Sequence, residues 1–263
     1  MALCALALCF QTYLFYGHDG INYSLMGFVF SATLLSYNVH FYLASRKSSS
    51  SQQTNWFHQQ KALTHALNIV ALLATAYFLL QLQGLWLWVS ITILLNASYT
   101  APLLLRKPLQ LPMIFTLVKS YFIGFTWALA TVVFPFVLFK KDPGMNELIL
   151  FSHRFLLVSV ATLLFDYRDR QRDFQQGVLT PANMLHEKQF HRFFYLNLLL
   201  FLLVTAGLVV LFPAPLQWLQ FVVVVFFIWL HAISRKRSDD LFYLTWVDGS
   251  LFLSAVLSLF LLI

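Results

Sequence analysis

The sequence predicts an all-α, polytopic membrane protein with about nine transmembrane helices. Three observations carry that expectation. Apolar residues make up 60% and charged residues 10% of the 263 positions, whereas a soluble domain carries roughly 25% charged residues. Long apolar runs recur along the chain, many near the ~20 residues that cross ~30 Å of hydrocarbon as a helix. The basic residues, finally, gather in alternate loops. Helices satisfy their own backbone hydrogen bonds in runs of this kind, so the spans are read as helical.

The nine runs are 2–16, 21–44, 62–82, 84–105, 112–138, 146–166, 190–212, 215–233 and 241–262. The first is short and lacks a basic start. It reads as a trimmed or tilted helix, with a cleaved signal peptide as the alternative. Its two cysteines, Cys4 and Cys9, lie five apart on one helix and serve as small apolar fillers. The second run ends at Arg46 and Lys47, and a Ser-rich stretch leads from it to Lys61 and the third. The fourth ends at Arg106 and Lys107, and the fifth at Lys140 and Lys141. The sixth meets Arg168, Arg170 and Arg172, with Lys188 before the seventh and Arg192 at its start. Arg235, Lys236 and Arg237 separate the eighth from the ninth.

Thirteen of the seventeen basic residues thus fall in even-numbered loops and two, Lys140 and Lys141, in odd ones. By the positive-inside rule the N-terminus and even loops are cytoplasmic and the C-terminus outside. The net charge of +7 reflects this asymmetry and anionic headgroups, and nucleic acid is not expected as a partner. Positions 1–263 read as a single integral membrane domain.

Asp166, Asp169 and Asp173 stand directly after the sixth run, and the chain has only ten acidic residues. Spacings of i, i+3 and i+7 put the three carboxylates on one helix face. Three like charges there call for a cation, and Mg²⁺ bridging to a phosphate is the natural one. The plain alternative is a solvated helix end paired with Arg168, Arg170 and Arg172. Beyond it, Gly177 reads as a turn and Pro181 as the start of a second short element.

The stretch from Asp166 through Asp169 and Asp173 to Gly177, Thr180 and Pro181 resembles the second aspartate-rich motif of the UbiA superfamily of intramembrane prenyltransferases. Tyr99-Thr100-Ala101-Pro102 with Arg106, Lys107, Pro112, Lys119 and Trp127 is similar to the family's tyrosine–basic region. The first motif departs from the pattern: Asn38 is present, but Tyr42 and Arg46 stand where two aspartates belong. The resemblance implies a UbiA-like helical bundle in a bacterial inner membrane. It implies transfer of a prenyl group from a polyprenyl diphosphate to a lipophilic acceptor, with Mg²⁺ as cofactor and membrane lipids around it. Asp166, Asp169 and Asp173 are the implied metal ligands, and Asp169, Asp173 and Lys119 the implied catalytic residues. Asn38, Arg46, Tyr99, Arg106, Lys107, Arg168 and Arg172 are the implied diphosphate contacts. The missing acids equally fit a homologue that binds an isoprenoid lipid or scaffolds a partner without turnover.

Aromatic side chains, 17% of the chain, suit a dry cavity for a carbocation and equally suit ordinary lipid-facing belts. Lys119, Arg154 and Asp248 lie within spans, where charge is costly, so each needs a cavity or a partner. Depth allows an ion pair between Lys119 and Asp248 or a ligand role for either, and Arg154 is expected to reach a backbone carbonyl or a headgroup. These three are also what a small transporter would use, but no repeated half supports that reading. The eight histidines form no metal pattern and are expected at the interface.

Overall fold

The computed structural model describes residues 1–16, 20–47, 60–104, 119–140, 144–175, 178–213 and 217–259. Among them it is helical throughout, without strands. In chain order the helices are α1 (Ala2–Tyr16), α2 (Tyr23–Lys47), α3 (Lys61–Leu80), α4 (Trp86–Leu104) and α5 (Lys119–Ala128). A π-turn, Leu129–Val133, joins α5 to α6 (Phe134–Phe139). Then come α7 (Met145–Gln175), the single turn α8 (Pro181–Met184), α9 (Glu187–Leu211) and α10 (Phe221–Ser234). A short α11 (Asp240–Phe242) leads through a second π-turn, Tyr243–Val247, into α12 (Asp248–Leu257).

Among the described residues six stretches are long and apolar enough to cross a membrane: Ala62–Leu80, Ser120–Phe139, Met145–Gln175, Glu187–Leu211, Gln217–Ser234 and Asp240–Leu257. The chain is therefore an all-helical polytopic membrane protein. The expected nine spans resolve into these six, two shorter apolar helices at Ala2–Tyr16 and Trp86–Ala97, and α2. Helix α2 has 25 residues, but Ser36, Asn38 and His40 dilute the apolar character of its second half.

Helix α7 is the axis of the bundle. It packs against α5, α8, α9, α10 and α12, and 61% of its most apolar window is buried, against 11% for Ala62–Leu80. At 1.5 Å per residue its 31 residues extend about 46 Å, some 16 Å beyond the hydrocarbon. The expected span 146–166 therefore continues without a break through the three aspartates, which lie on helix as their spacing led one to expect. Pro181 opens α8, and Gly177 lies outside the described residues.

Close approach of α5 to α7 depends on Gly124. A Cβ there would meet the Phe155 carbonyl oxygen at 2.7 Å and collide with the Ser159 hydroxyl. Small residues allow such contacts where lipid offers no hydrophobic drive between helices. Polar side chains join other helices. Gln11 of α1 donates to the Ser254 carbonyl (2.9 Å) and the Ser258 hydroxyl (2.6 Å), and Gln220 reaches the same two atoms at 2.9 and 2.7 Å. Thr12 donates to the Thr131 carbonyl in the first π-turn at 2.6 Å. The guanidinium of Arg154, fully buried, donates to the Leu8 carbonyl at 3.1 Å, one of the two partners expected for it. Cys4 and Cys9 are free and buried.

Gly124→Ala should lower stability by about 1–3 kcal/mol, the cost of overpacking a contact that includes backbone. Unfolding of the detergent-solubilised protein followed by circular dichroism measures this. Gly20→Ala, where an added Cβ meets nothing within 4 Å, is the control and should stay close to wild type.

Candidate functional site

The projecting end of α7 carries Asp166, Arg168, Asp169, Arg172 and Asp173 within two helical turns. Asp166 and Asp173 are buried, at 3% and 6% exposure. The Ser120 hydroxyl of α5 donates to Asp166 Oδ2, which ties this carboxylate to the residue that follows Lys119.

Asp169 is engaged differently. The Arg168 guanidinium grips it through two bonds, Nε to Oδ1 at 2.8 Å and Nη2 to Oδ2 at 3.0 Å. Arg172 Nη2 reaches the same Oδ2 at 2.7 Å. Two cations therefore share one carboxylate. Arg168 also approaches Asp240 Oδ1 at 3.3 Å and lies over the rings of Phe165 and Tyr243, 5.1 and 4.8 Å from their centroids. Bidentate pairing and stacking both suit the planar guanidinium, so Arg168 locks α7 to the start of the last helical unit. Arg170 points elsewhere, over the Tyr167 ring at 4.6 Å.

The remaining residues of the expected site are only partly brought into view. Asn38 is half-buried on α2, which packs chiefly on α3 and α1. Its neighbour Tyr37 meets Trp127 of α5 edge-on at 6.4 Å. Tyr42, at a position where the family resemblance expects an acid, packs edge-on against His65 of α3 at 5.4 Å. Arg46, Tyr99 and Lys119 have helical backbone, but their side chains lie outside the described residues, as Arg106 and Lys107 do entirely. The Lys119–Asp248 pairing therefore falls outside them too. Asp248 itself is buried at 6%, and its carbonyl accepts from Cys4 Sγ at 3.5 Å.

Among the described residues no three of His, Cys, Asp and Glu stand together as a metal-holding group. Two of the histidines are buried within the protein: His153 lies fully buried beside Phe201, and His231, in the last turn of α10, is 2% exposed. Asp240, Tyr243 and Ser120 were missed as members of the α7 cluster. The signal available was Asp239-Asp240 following Arg235-Lys236-Arg237 at the start of the last apolar run.

Two elements outside this cluster have their own character. An open apolar groove between α1, α2 and α3 is lined by Leu6, Met26, Phe30, Leu67 and Phe78 among others. Gly27 belongs to it, because a Cβ there would strike the Phe78 ring. The other is a line of polar side chains on α7, α9 and α10, from Tyr167 through His191 to His231 and Tyr195. No protein-family model, curated protein or solved structure matches the chain.

Arg168→Ala removes the bidentate grip, the Asp240 contact and two stacking partners from a side chain 11% exposed. It should destabilise the protein by about 3–5 kcal/mol, the range for breaking a buried pair. Asp240→Asn, which loses one longer contact, should cost less than about 1.5 kcal/mol. Urea unfolding of both variants in detergent gives the comparison.

Proposed function

We propose that the chain is a UbiA-like intramembrane prenyltransferase that binds a polyprenyl diphosphate at the projecting end of α7 and transfers the prenyl group to a lipophilic acceptor. In this reading it crosses a bacterial inner membrane nine times, with the N-terminus in the cytoplasm and the C-terminus outside. One observation carries the proposal: two buried carboxylates, Asp166 and Asp173, share one face of the end of α7 with Asp169, which Arg168 and Arg172 hold between them. Burying acids and bases together is costly, and such groups mark sites where a charged ligand is handled.

The reaction breaks the allylic C–O bond, and pyrophosphate leaves with the electron pair. The prenyl carbon bonds to a nucleophilic atom of the acceptor, which gives up a proton. Charge builds on the leaving group, so the protein's task is to stabilise it and to keep water away. Arg168 and Arg172 supply fixed positive charge beside the carboxylates, and Phe165 and Tyr243 shield the cluster. Mg²⁺ is commonly held by one or two carboxylates plus phosphate oxygens rather than by a full protein cage. Asp166 and Asp173 suit that role, and Asp169 suits it once ligand draws the arginines away. When bound, the ion would neutralise diphosphate charge.

A second reading has a specific observation behind it. Both oxygens of Asp169 are already satisfied by guanidinium groups, and Tyr42 packs on His65 in place of an acid. A homologue that binds an isoprenoid lipid, or scaffolds a partner, without turnover accounts for both.

Calorimetry with a non-hydrolysable prenyl diphosphate analogue tests binding, and product analysis with labelled prenyl diphosphate tests turnover. Wild type should bind only with Mg²⁺ present, and Asp173→Ala should weaken binding by about 1–3 kcal/mol. Equal affinity in Asp173→Ala would reduce the cluster to a structural helix end. Binding without product would select the second reading. Arg46→Asp should weaken binding if Arg46 clamps the diphosphate, whereas a gain in Tyr42→Asp/Arg46→Asp would mark that lobe as a decayed metal cage.

A further inference from the structure

On the side of α7 that carries Tyr167, five polar side chains form a continuous line through three helices. Tyr195 Oη lies 3.2 Å from His231 Nδ1, and His231 Nε2 lies 3.0 Å from His191 Nδ1. His191 Nε2 faces Glu187 Oε1 at 3.7 Å, and Glu187 Oε1 accepts from the Tyr167 hydroxyl at 3.1 Å. Glu187, His191 and Tyr195 are spaced by four on α9 and share one face. His231 comes from α10 and Tyr167 from α7. The His231 ring stacks on Phe194 at 4.3 Å, with His191 against it edge-on at 4.9 Å.

A contact of 3.0 Å between two ring nitrogens leaves room for one proton. One neutral arrangement orients every group. Tyr195 donates to His231 Nδ1, His231 Nε2–H donates to His191 Nδ1, and His191 Nε2–H points at Glu187. A first added proton fits on His231 Nδ1, with the Tyr195 hydroxyl turned to accept. A second does not fit, because both facing nitrogens would then carry hydrogen. The charged and titratable groups around the pair are Glu187 and Tyr195 on α9, Tyr167 and Arg170 on α7, and Arg235 just past α10. The two arginines add repulsion to any charge that Glu187 does not offset.

We infer that His191 and His231 form a single-proton latch between α9 and α10, closed near neutral pH and opened by acid. Opening frees the last turn of α10 and the first turn of α9. The latch is separate from the diphosphate site proposed above and does not depend on it. The second proton enters against the charge of the first, so opening lies below the ordinary histidine range near pH 6.5. Two unit charges about 4 Å apart at an effective dielectric of 20 repel by ~4 kcal/mol, enough to push these helix ends away from each other.

Amide hydrogen exchange on the full chain in nanodiscs tests the latch, with rates corrected for their intrinsic dependence on pH. Between about pH 7 and 3.5, the lower end set by ~4 kcal/mol of repulsion at ~1.4 kcal/mol per pH unit below the ordinary histidine value, protection of residues 228–234 and 187–193 should fall about tenfold, equivalent to ~1.4 kcal/mol. Protection of α3 should not change. In His191→Gln, at a side chain 16% exposed where glutamine keeps polar character, the pH difference should disappear, as it should in His231→Gln. Unchanged protection in wild type would overturn the latch. So would a tenfold loss that persists in His191→Gln, or one that spreads equally to α3.

Discussion

The two-pronged grip of Arg168 on Asp169 is the interaction on which the charged end of the bundle depends. It lets a helix built for lipid continue some three turns past the hydrocarbon while keeping acid and base paired. Because α7 contacts five other helices, its register sets theirs. Arg168 extends that control to the C-terminal unit through Asp240 and Tyr243, and Ser120 extends it to α5 through Asp166. The end of α7 thus joins stretches of the chain that are remote in sequence.

Within the apolar layer the same economy holds with neutral groups. Gln11 and Gln220 converge on Ser254 and Ser258, Tyr121 donates to Asn197 at 2.7 Å, and Thr12 meets a carbonyl in a π-turn. Each link gives a buried polar atom a partner on another helix, where lipid offers none. The π-turns at Leu129–Val133 and Tyr243–Val247 interrupt two spans. Extra turns of this kind often accompany function, and Tyr243 of the second is the ring on which Arg168 stacks.

Much of this was legible in the sequence, and the limits have physical causes. Apolar runs bounded by charge identify helices because burial in lipid depends on length and polarity, both local properties. That is why Ala62–Leu80, Glu187–Leu211 and Gln217–Ser234 fall close to the expected runs. Asn38 and His40 weaken that local signal in α2, although a 25-residue helix does cover the expected run. The spacing of Asp166, Asp169 and Asp173 correctly placed them on a helix, and Arg168 and Arg172 are the partners the plain alternative anticipated. Arg170 was not separable from them by sequence, since only the ring of Tyr167 draws it aside. Asp240 and His231 were invisible as partners because helix packing, not spacing, brings them to Arg168 and His191.

Photo-cross-linking with a prenyl diphosphate that carries a diazirine beside the diphosphate tests the central claim most directly. The proposed site predicts Mg²⁺-dependent labelling of peptides from the end of α7 and the start of α5, competed away by unlabelled diphosphate and lost in Asp173→Ala. Labelling confined to the groove between α1, α2 and α3, or labelling at α7 that neither Mg²⁺ nor competitor alters, would contradict it.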